Sequence, residues 1–187
     1  MMQKLWQEKL ELVYSKEVID IAQFGSSVVE GSKANDIDIV VIFQKIPVKE
    51  QLEESQKIKK QLQKYSALPI HINSFDLYSF FDKSNFSREG ILFYGKSLIS
   101  KDYFSKIFDL NPKLQIHYSL NKLKKKDKIK FNYMLNGRGG KYGLLRKFNG
   151  KLIAPGLIEI LPEYENIFSN SIKKSIHDFE LKRVFYS

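Results

Sequence analysis

A chain of 187 residues, 43% hydrophobic and 13% aromatic, has the composition of an ordinary globular protein and the length for one good core or two small ones, so at most two domains are expected. It holds no cysteine, which excludes disulfide frameworks and thiolate zinc sites. The net charge is +10, from 31 basic and 21 acidic residues, and it is unevenly spread: residues 1–112 carry 15 of each sign, whereas residues 113–187 hold the other 16 basic and 6 acidic groups.

The first residues, MMQKLWQEKLELVY, mix charges into their apolar positions, unlike a signal peptide. No stretch approaches the length of a membrane span, so a cytoplasmic protein without a membrane partner is expected. Leu5, Trp6, Leu10, Leu12 and Val13 recur at roughly helical intervals and predict an amphipathic first helix. Val18 to Phe24 reads as a strand ended by Gly25-Ser26-Ser27, and Ile37 to Phe43 as a second strand, buried on both faces and stopped by Pro47. Residues 48–65 place Leu52, Ile58, Leu62 and Tyr65 near one helical face. A third strand is predicted from Ile70 to Phe75, ending before Asp76, followed by a helix from Phe80 to Leu98.

Beyond Asn111-Pro112 the texture becomes lysine-dense. The run Ile129 to Leu135 fits both the helical and the strand period. Gly137, Gly139, Gly140 and Gly143 mark a tight basic loop, and residues 163–185 predict one amphipathic helix through Ile167, Phe168, Ile172, Ile176 and Phe179. The expected fold class is α/β (α+β), a small mixed sheet flanked by helices, with a small basic C-terminal domain. The expected division is 1–111 and 112–187.

The segment that carries chemistry is Phe24-Gly25-Ser26-Ser27 followed by Asp36-Ile37-Asp38-Ile39-Val40. Alternate side chains of a strand share a face, so Asp36 and Asp38 project together. Like charges at that spacing are best explained by a bound cation, with Mg²⁺ (or Mn²⁺) suited to hard oxygen ligands that also engage a triphosphate. Gly25 and Ser26 supply backbone and hydroxyl donors for phosphate oxygens. Ser27, Glu30 and Lys33 lie between the two halves. Ser27 and Lys33 are assigned to the nucleotide, with solvent exposure the plainer reading.

This arrangement resembles the glycine-serine plus paired-aspartate signature of polymerase-beta-like nucleotidyltransferases, particularly the minimal ones, over about residues 1–100. The segment Glu89 to Lys96 looks like the helix that closes such small domains. The resemblance implies a nucleotidyltransferase fold, Asp36 and Asp38 as catalytic metal ligands, an NTP substrate held by Gly25 and Ser26, and transfer of a nucleoside monophosphate. The family usually has a third carboxylate on the next strand. Here Pro69-Ile70-His71-Ile72-Asn73 offers His71, or failing it Asn73. Neutral histidine can ligate some transition metals or act as a base, so His71 joins the catalytic candidates beside its blander reading as a strand histidine. His117 and His177 are read as incidental.

In the basic half, Lys124, Lys125, Lys126, Lys128, Lys130, Arg138, Lys141, Arg146 and Lys147 occur with Phe131, Tyr133, Tyr142 and Phe148 among them. That mixture suits phosphate contacts plus base stacking, where a charge run alone is usually a solvated face. Some relatives modify aminoglycosides, but a polycationic drug should avoid so basic a chain. The expected function is therefore metal-dependent nucleotidyl transfer to a nucleic-acid acceptor, RNA or single-stranded DNA. The alternatives are a catalytically impaired nucleic-acid-binding protein on the same fold, or an antitoxin-type module with a protein partner.

Overall fold

The computed structural model describes residues 4–139, 141–176 and 178–187; Gly140 of the expected glycine loop and His177 lie outside them. The chain forms two compact units, residues 4–28 with 32–110, and residues 29–31 with 111–187. Each contains one four-stranded sheet flanked by helices, a mixed α/β architecture. No helix of the described residues is long and apolar enough to cross a membrane.

The first unit contains β1 (Val18–Phe24), β2 (Ile37–Phe43), α1 (Val48–Leu62), β3 (Ile70–Asp76), α2 (Leu77–Phe81), α3 (Arg88–Tyr94) and β4 (Lys96–Ser97), with sheet order β3-β2-β1-β4. Strand β2 runs antiparallel to β1 and parallel to β3. A parallel pair requires a crossover, and α1 supplies it. In β2, Ile37 and every residue from Ile39 to Phe43 are fully buried, as its unbroken apolar run requires. On one face Ala22, Val40 and Ile42 pack with Phe80, Ile91 and Phe104. The rings of Phe80 and Phe104 meet edge-on at 5.5 Å.

The departures from the sequence reading have physical causes. The N-terminal segment is not an amphipathic helix: a single 3-10 turn, Leu5–Gln7, leads into extended chain. The Gln61 side-chain amide accepts from the Val13 N–H at 2.8 Å and donates to the Val13 carbonyl at 2.7 Å. Glu54 accepts from the Ser15 N–H at 2.7 Å. Side chains of α1 thus satisfy the backbone groups that an intrasegment helix would have used. On α1 itself the buried face is Gln51, Ser55, Ile58 and Leu62, while Leu52 is 53% exposed.

The expected helix from Phe80 to Leu98 is two short ones. Asp82 accepts from the Ser84 N–H and Asn85 from the Ser87 N–H, local turns that compete with helical pairing. Asp76 falls inside β3 as its last residue rather than after it, and its carboxylate caps α2 by accepting from the Ser79 N–H at 2.7 Å.

The second unit contains β5 (Asn111–Tyr118), α4 (Lys125–Asn136), α5 (Leu144–Lys147), β6 (Lys151–Ala154), β7 (Leu157–Ile160), α6 (Glu165–Lys173) and β8 (Phe179–Tyr186), with antiparallel sheet order β6-β7-β5-β8. The ambiguous run Ile129 to Leu135 is helical, within α4. The terminal helix expected over 163–185 stops at Lys173, and β8 pairs with β5 along its full length. Tyr186 fixes that register: its hydroxyl donates to Glu159 on β7 at 2.6 Å and accepts from Gln115 on β5 at 3.1 Å. Cross-strand pairing between distant segments overrides the helical spacing of Ile176 and Phe179.

One buried charge in the first unit has a consequence for stability. Asp20 on β1 is 2% exposed; its Oδ1 accepts from the Ser97 hydroxyl at 2.7 Å and the Ile21 N–H at 2.7 Å, and its Oδ2 has no hydrogen-bond partner among the described residues. Burial outweighs those hydrogen bonds and pushes the carboxyl up from 3.8 to about 6. Between about pH 4 and 6 the unfolded chain releases this proton while the native chain holds it, so stability falls as pH rises through that window, on the order of 2–3 kcal/mol. Urea unfolding at pH 4.5 and pH 7 should show this loss in the wild type and a flatter response in Asp20→Asn. Parallel pH responses would show that Asp20 ionises as readily in the native chain as in the unfolded one.

Candidate metal and nucleotide site

Asp36 immediately precedes β2 and Asp38 is its second residue, so strand alternation directs both carboxylates to one face. His71, the second residue of β3, is the register partner of Asp38 in the parallel pair. One ligand atom from each of Asp36, Asp38 and His71 can be chosen so that all lie within 4.8 Å of one another. His71 Nδ1 is 3.8 Å from Asp36 Oδ2, with 63% and 38% of the respective side chains exposed. The imidazole is therefore largely open to solvent.

The surroundings of Asp38 disfavour its charged form. Burial holds the Asp38 carboxyl above its ordinary value, the neighbouring Asp36 charge raises it further, and His71 partly offsets both. Two oxygen donors and one imidazole nitrogen, converging on a half-open position, fit a divalent cation.

Gly25 explains the other half of the motif. It pairs no residue itself but follows Phe24, the register partner of Asp38, and turns the chain with φ of +74° into the 3-10 turn Gly25–Val28. A Cβ built on Gly25 would collide with the Asp38 carboxylate. Any side chain here would be strained twice, by backbone conformation and by contact. Ser26 is exposed next to it, and Lys33 is exposed in the following loop.

Ser27 departs from its assignment to the nucleotide. It is 1% exposed, its hydroxyl donates to the Phe24 carbonyl at 3.1 Å and accepts from Gln23 Nε2 at 2.9 Å. The other end of the Gln23 amide accepts from the Leu5 N–H at 2.9 Å. Ser27 thus closes the turn from inside rather than offering a donor outward. Glu30, read as a solvated loop residue, donates its N–H to the Glu163 carbonyl at 2.7 Å within the second unit.

Among the described residues no third carboxylate stands opposite Asp38: His71 occupies the position paired with it, and Asn73 pairs with Val40 further along. Asp76 pairs with Phe43 at the opposite end of β2. Five residues of strand put it roughly 17 Å from His71, and its carboxylate is engaged with Ser79.

The basic residues of the second unit divide into groups. Lys130, Lys141, Arg146 and Lys147 line one open cleft. Lys124, Lys125 and Lys126 are exposed around the start of α4, Lys128 is half-buried, and Arg138 is exposed after it; none of these five lines that cleft. Of the aromatics, Phe131 is buried against Tyr118 at 5.1 Å, and Phe148 lies against Tyr164 at 4.7 Å. Tyr133 and Tyr142 remain accessible. His117 sits in β5 with its Nε2 buried.

The aspartate coupling has a direct readout. In Asp36→Asn the neighbouring charge is gone, so the Asp38 carboxyl should titrate lower than in the wild type, measured by NMR of the aspartate carboxyl carbons. An unchanged Asp38 titration would mean that the two carboxylates are not electrostatically coupled.

No family model matches this chain, and no curated protein or solved structure does so.

Proposed function

We propose that the first unit is a metal-dependent nucleotidyltransferase, moving a nucleoside monophosphate from a nucleoside triphosphate to a nucleic-acid acceptor, preferentially RNA, bound by the basic second unit. The observation that carries this reading is the convergence of Asp36, Asp38 and His71 beside a glycine whose missing side chain leaves the Asp38 carboxylate uncovered. Asp36 and Asp38 would hold Mg²⁺ or Mn²⁺, with His71 beside them. Bound there, the cation supplies positive charge to triphosphate oxygens and to the departing pyrophosphate.

The chain's own groups have distinct tasks. Gly25 lets the phosphates approach the backbone, and the exposed Ser26 offers a hydroxyl donor. Lys33, exposed in the same loop, would meet triphosphate charge. In the reaction the acceptor hydroxyl oxygen bonds to the α-phosphorus as the bond to pyrophosphate breaks. Neutral His71 takes the hydroxyl proton, the task that a third carboxylate performs in the family this chain resembles.

The nucleic-acid acceptor is supported by a feature of α4. Lys124, Lys125, Lys126 and Lys128 crowd its N-terminal turn with only Asp127 among them. Cations there oppose the positive end of the helix dipole, a cost that a polyanion relieves.

A second reading keeps the fold and the nucleic acid but not the turnover. The absence of a carboxylate opposite Asp38 favours it. An antitoxin-type protein partner would instead use the exposed aromatics Tyr78, Phe81 and Phe86.

Transfer of α-labelled nucleoside triphosphates with Mg²⁺ or Mn²⁺, to small RNA, single-stranded DNA or cellular protein, separates these. The enzyme reading expects label on nucleic acid, lost in Asp36→Asn/Asp38→Asn and reduced about 10²-fold or more in His71→Ala. No transfer, with nucleic-acid binding intact in both, would leave the binding protein. Label on a protein would move the acceptor class to the antitoxin type.

A further inference from the structure

We propose that the second unit carries a distinct site for unpaired nucleotides, in the cleft between α4, the loop that follows it, and α5. This deepens the nucleic-acid part of the reading above and is independent of its chemistry. It specifies that the acceptor is held through single-stranded bases rather than through a duplex backbone.

The cleft has a volume of about 800 Å³, within the ~300–1,000 Å³ range of small-ligand sites. Its lining combines charge and rings. Lys130 and Tyr133 come from α4, Lys141 and Tyr142 from the loop, and Arg146 and Lys147 from α5, and no carboxylate is among the described residues that line it. Lys130 is 3.9 Å from Asp127 in an exposed pair, too weak to neutralise it. Tyr133 is 41% exposed and Tyr142 54% exposed.

Helical spacing produces this face. Phe131 and Leu135 stand four apart and are buried, while Lys130, Tyr133 and Met134 lie at i, i+3 and i+4 and line the cleft. On α5, Leu145 is buried and leaves Arg146 and Lys147 outward. The loop is brought in by close backbone contact. A Cβ on Gly137 would strike the Tyr142 carbonyl, and one on Gly143 would strike the backbone of Leu135 and Asn136. Both glycines have positive φ, 78° and 131°. Tyr142 and Lys141 are thereby presented beside Tyr133 by the end of the helix.

The occupant follows from that chemistry. Four cations, with no carboxylate among the described lining residues, select phosphates. Accessible tyrosine rings select flat, unstacked bases, which a duplex does not offer. An acidic peptide would satisfy the cations and leave the rings unused.

The test uses the full chain and fluorescence anisotropy of a labelled oligouridylate, against a blunt RNA duplex of equal length and an oligoglutamate competitor. Tyr133→Ala/Tyr142→Ala should weaken single-strand binding about tenfold or more and leave duplex binding unchanged. Tyr133→Phe/Tyr142→Phe should bind as wild type. Lys141→Ala/Lys147→Ala should lower the salt slope by roughly 1.4, two phosphate contacts on a single strand. Asp36→Asn/Asp38→Asn should bind as wild type, so failure of the chemistry and failure of this site are separable. Thermal unfolding checks each variant; the truncated rings are exposed, so the melting temperature should hold. Equal single-strand affinity in the alanine variant, equal losses on duplex, or competition by oligoglutamate as effective as by oligonucleotide would overturn the proposal.

Discussion

Asp36 and Asp38 repel each other across one strand residue, and the start of β2 is arranged around that repulsion. The apolar run behind them buries β2 on both faces and sets the alternation that directs both acids to one side. The parallel register of β3 brings His71 opposite Asp38, where it partly offsets the burial and repulsion acting on its carboxyl. The antiparallel register of β1 delivers Gly25 against the same carboxylate, where no side chain fits. Even the interior of the turn serves this geometry, since Gln23 ties Ser27 to the N-terminal segment through one amide.

The second unit solves a different problem, the concentration of positive charge on a small scaffold. Its core depends on alternate residues of β5, Leu114 and Ile116, and on the buried faces of α4 and α6. The lysines are consigned to what remains. Part of that remainder is a helix N-terminus that disfavours them and part is an open cleft with accessible tyrosines. In both places an anion improves the electrostatics, which is why the proposed acceptor is a polyanion.

Legibility in the sequence followed the range of the interactions involved. Strands β1 and β2 were readable to their ends because their apolar runs are bounded by Gly25 and by Pro47. The shared face of Asp36 and Asp38 follows from strand alternation alone. The N-terminal strap was not readable, because Gln61 and Glu54 hold it from about forty residues away. Nor was β8, whose partner β5 lies far back in the chain and whose register is set by Tyr186, Gln115 and Glu159 together. Ser27 illustrates the same limit within the motif. A serine after glycine reads as a phosphate donor, and only the position of Gln23 shows that its hydroxyl is spoken for. For the aromatics of the basic half, the buried spacing of Phe131 and Leu135 on a helix was the signal that separates core from accessible rings, but it required knowing that α4 is helical.

The central claim is that Asp36 and Asp38, beside His71, form a cation site, and it can be tested without any substrate. Electron paramagnetic resonance of Mn²⁺ titrated with the protein reads free metal directly. The account predicts loss of the free signal on adding wild type, with Asp38→Asn and Asp36→Asn weakening binding at least tenfold. Equal titrations for wild type and both variants would mean that these carboxylates do not hold a cation, and the enzymatic reading would fall with them.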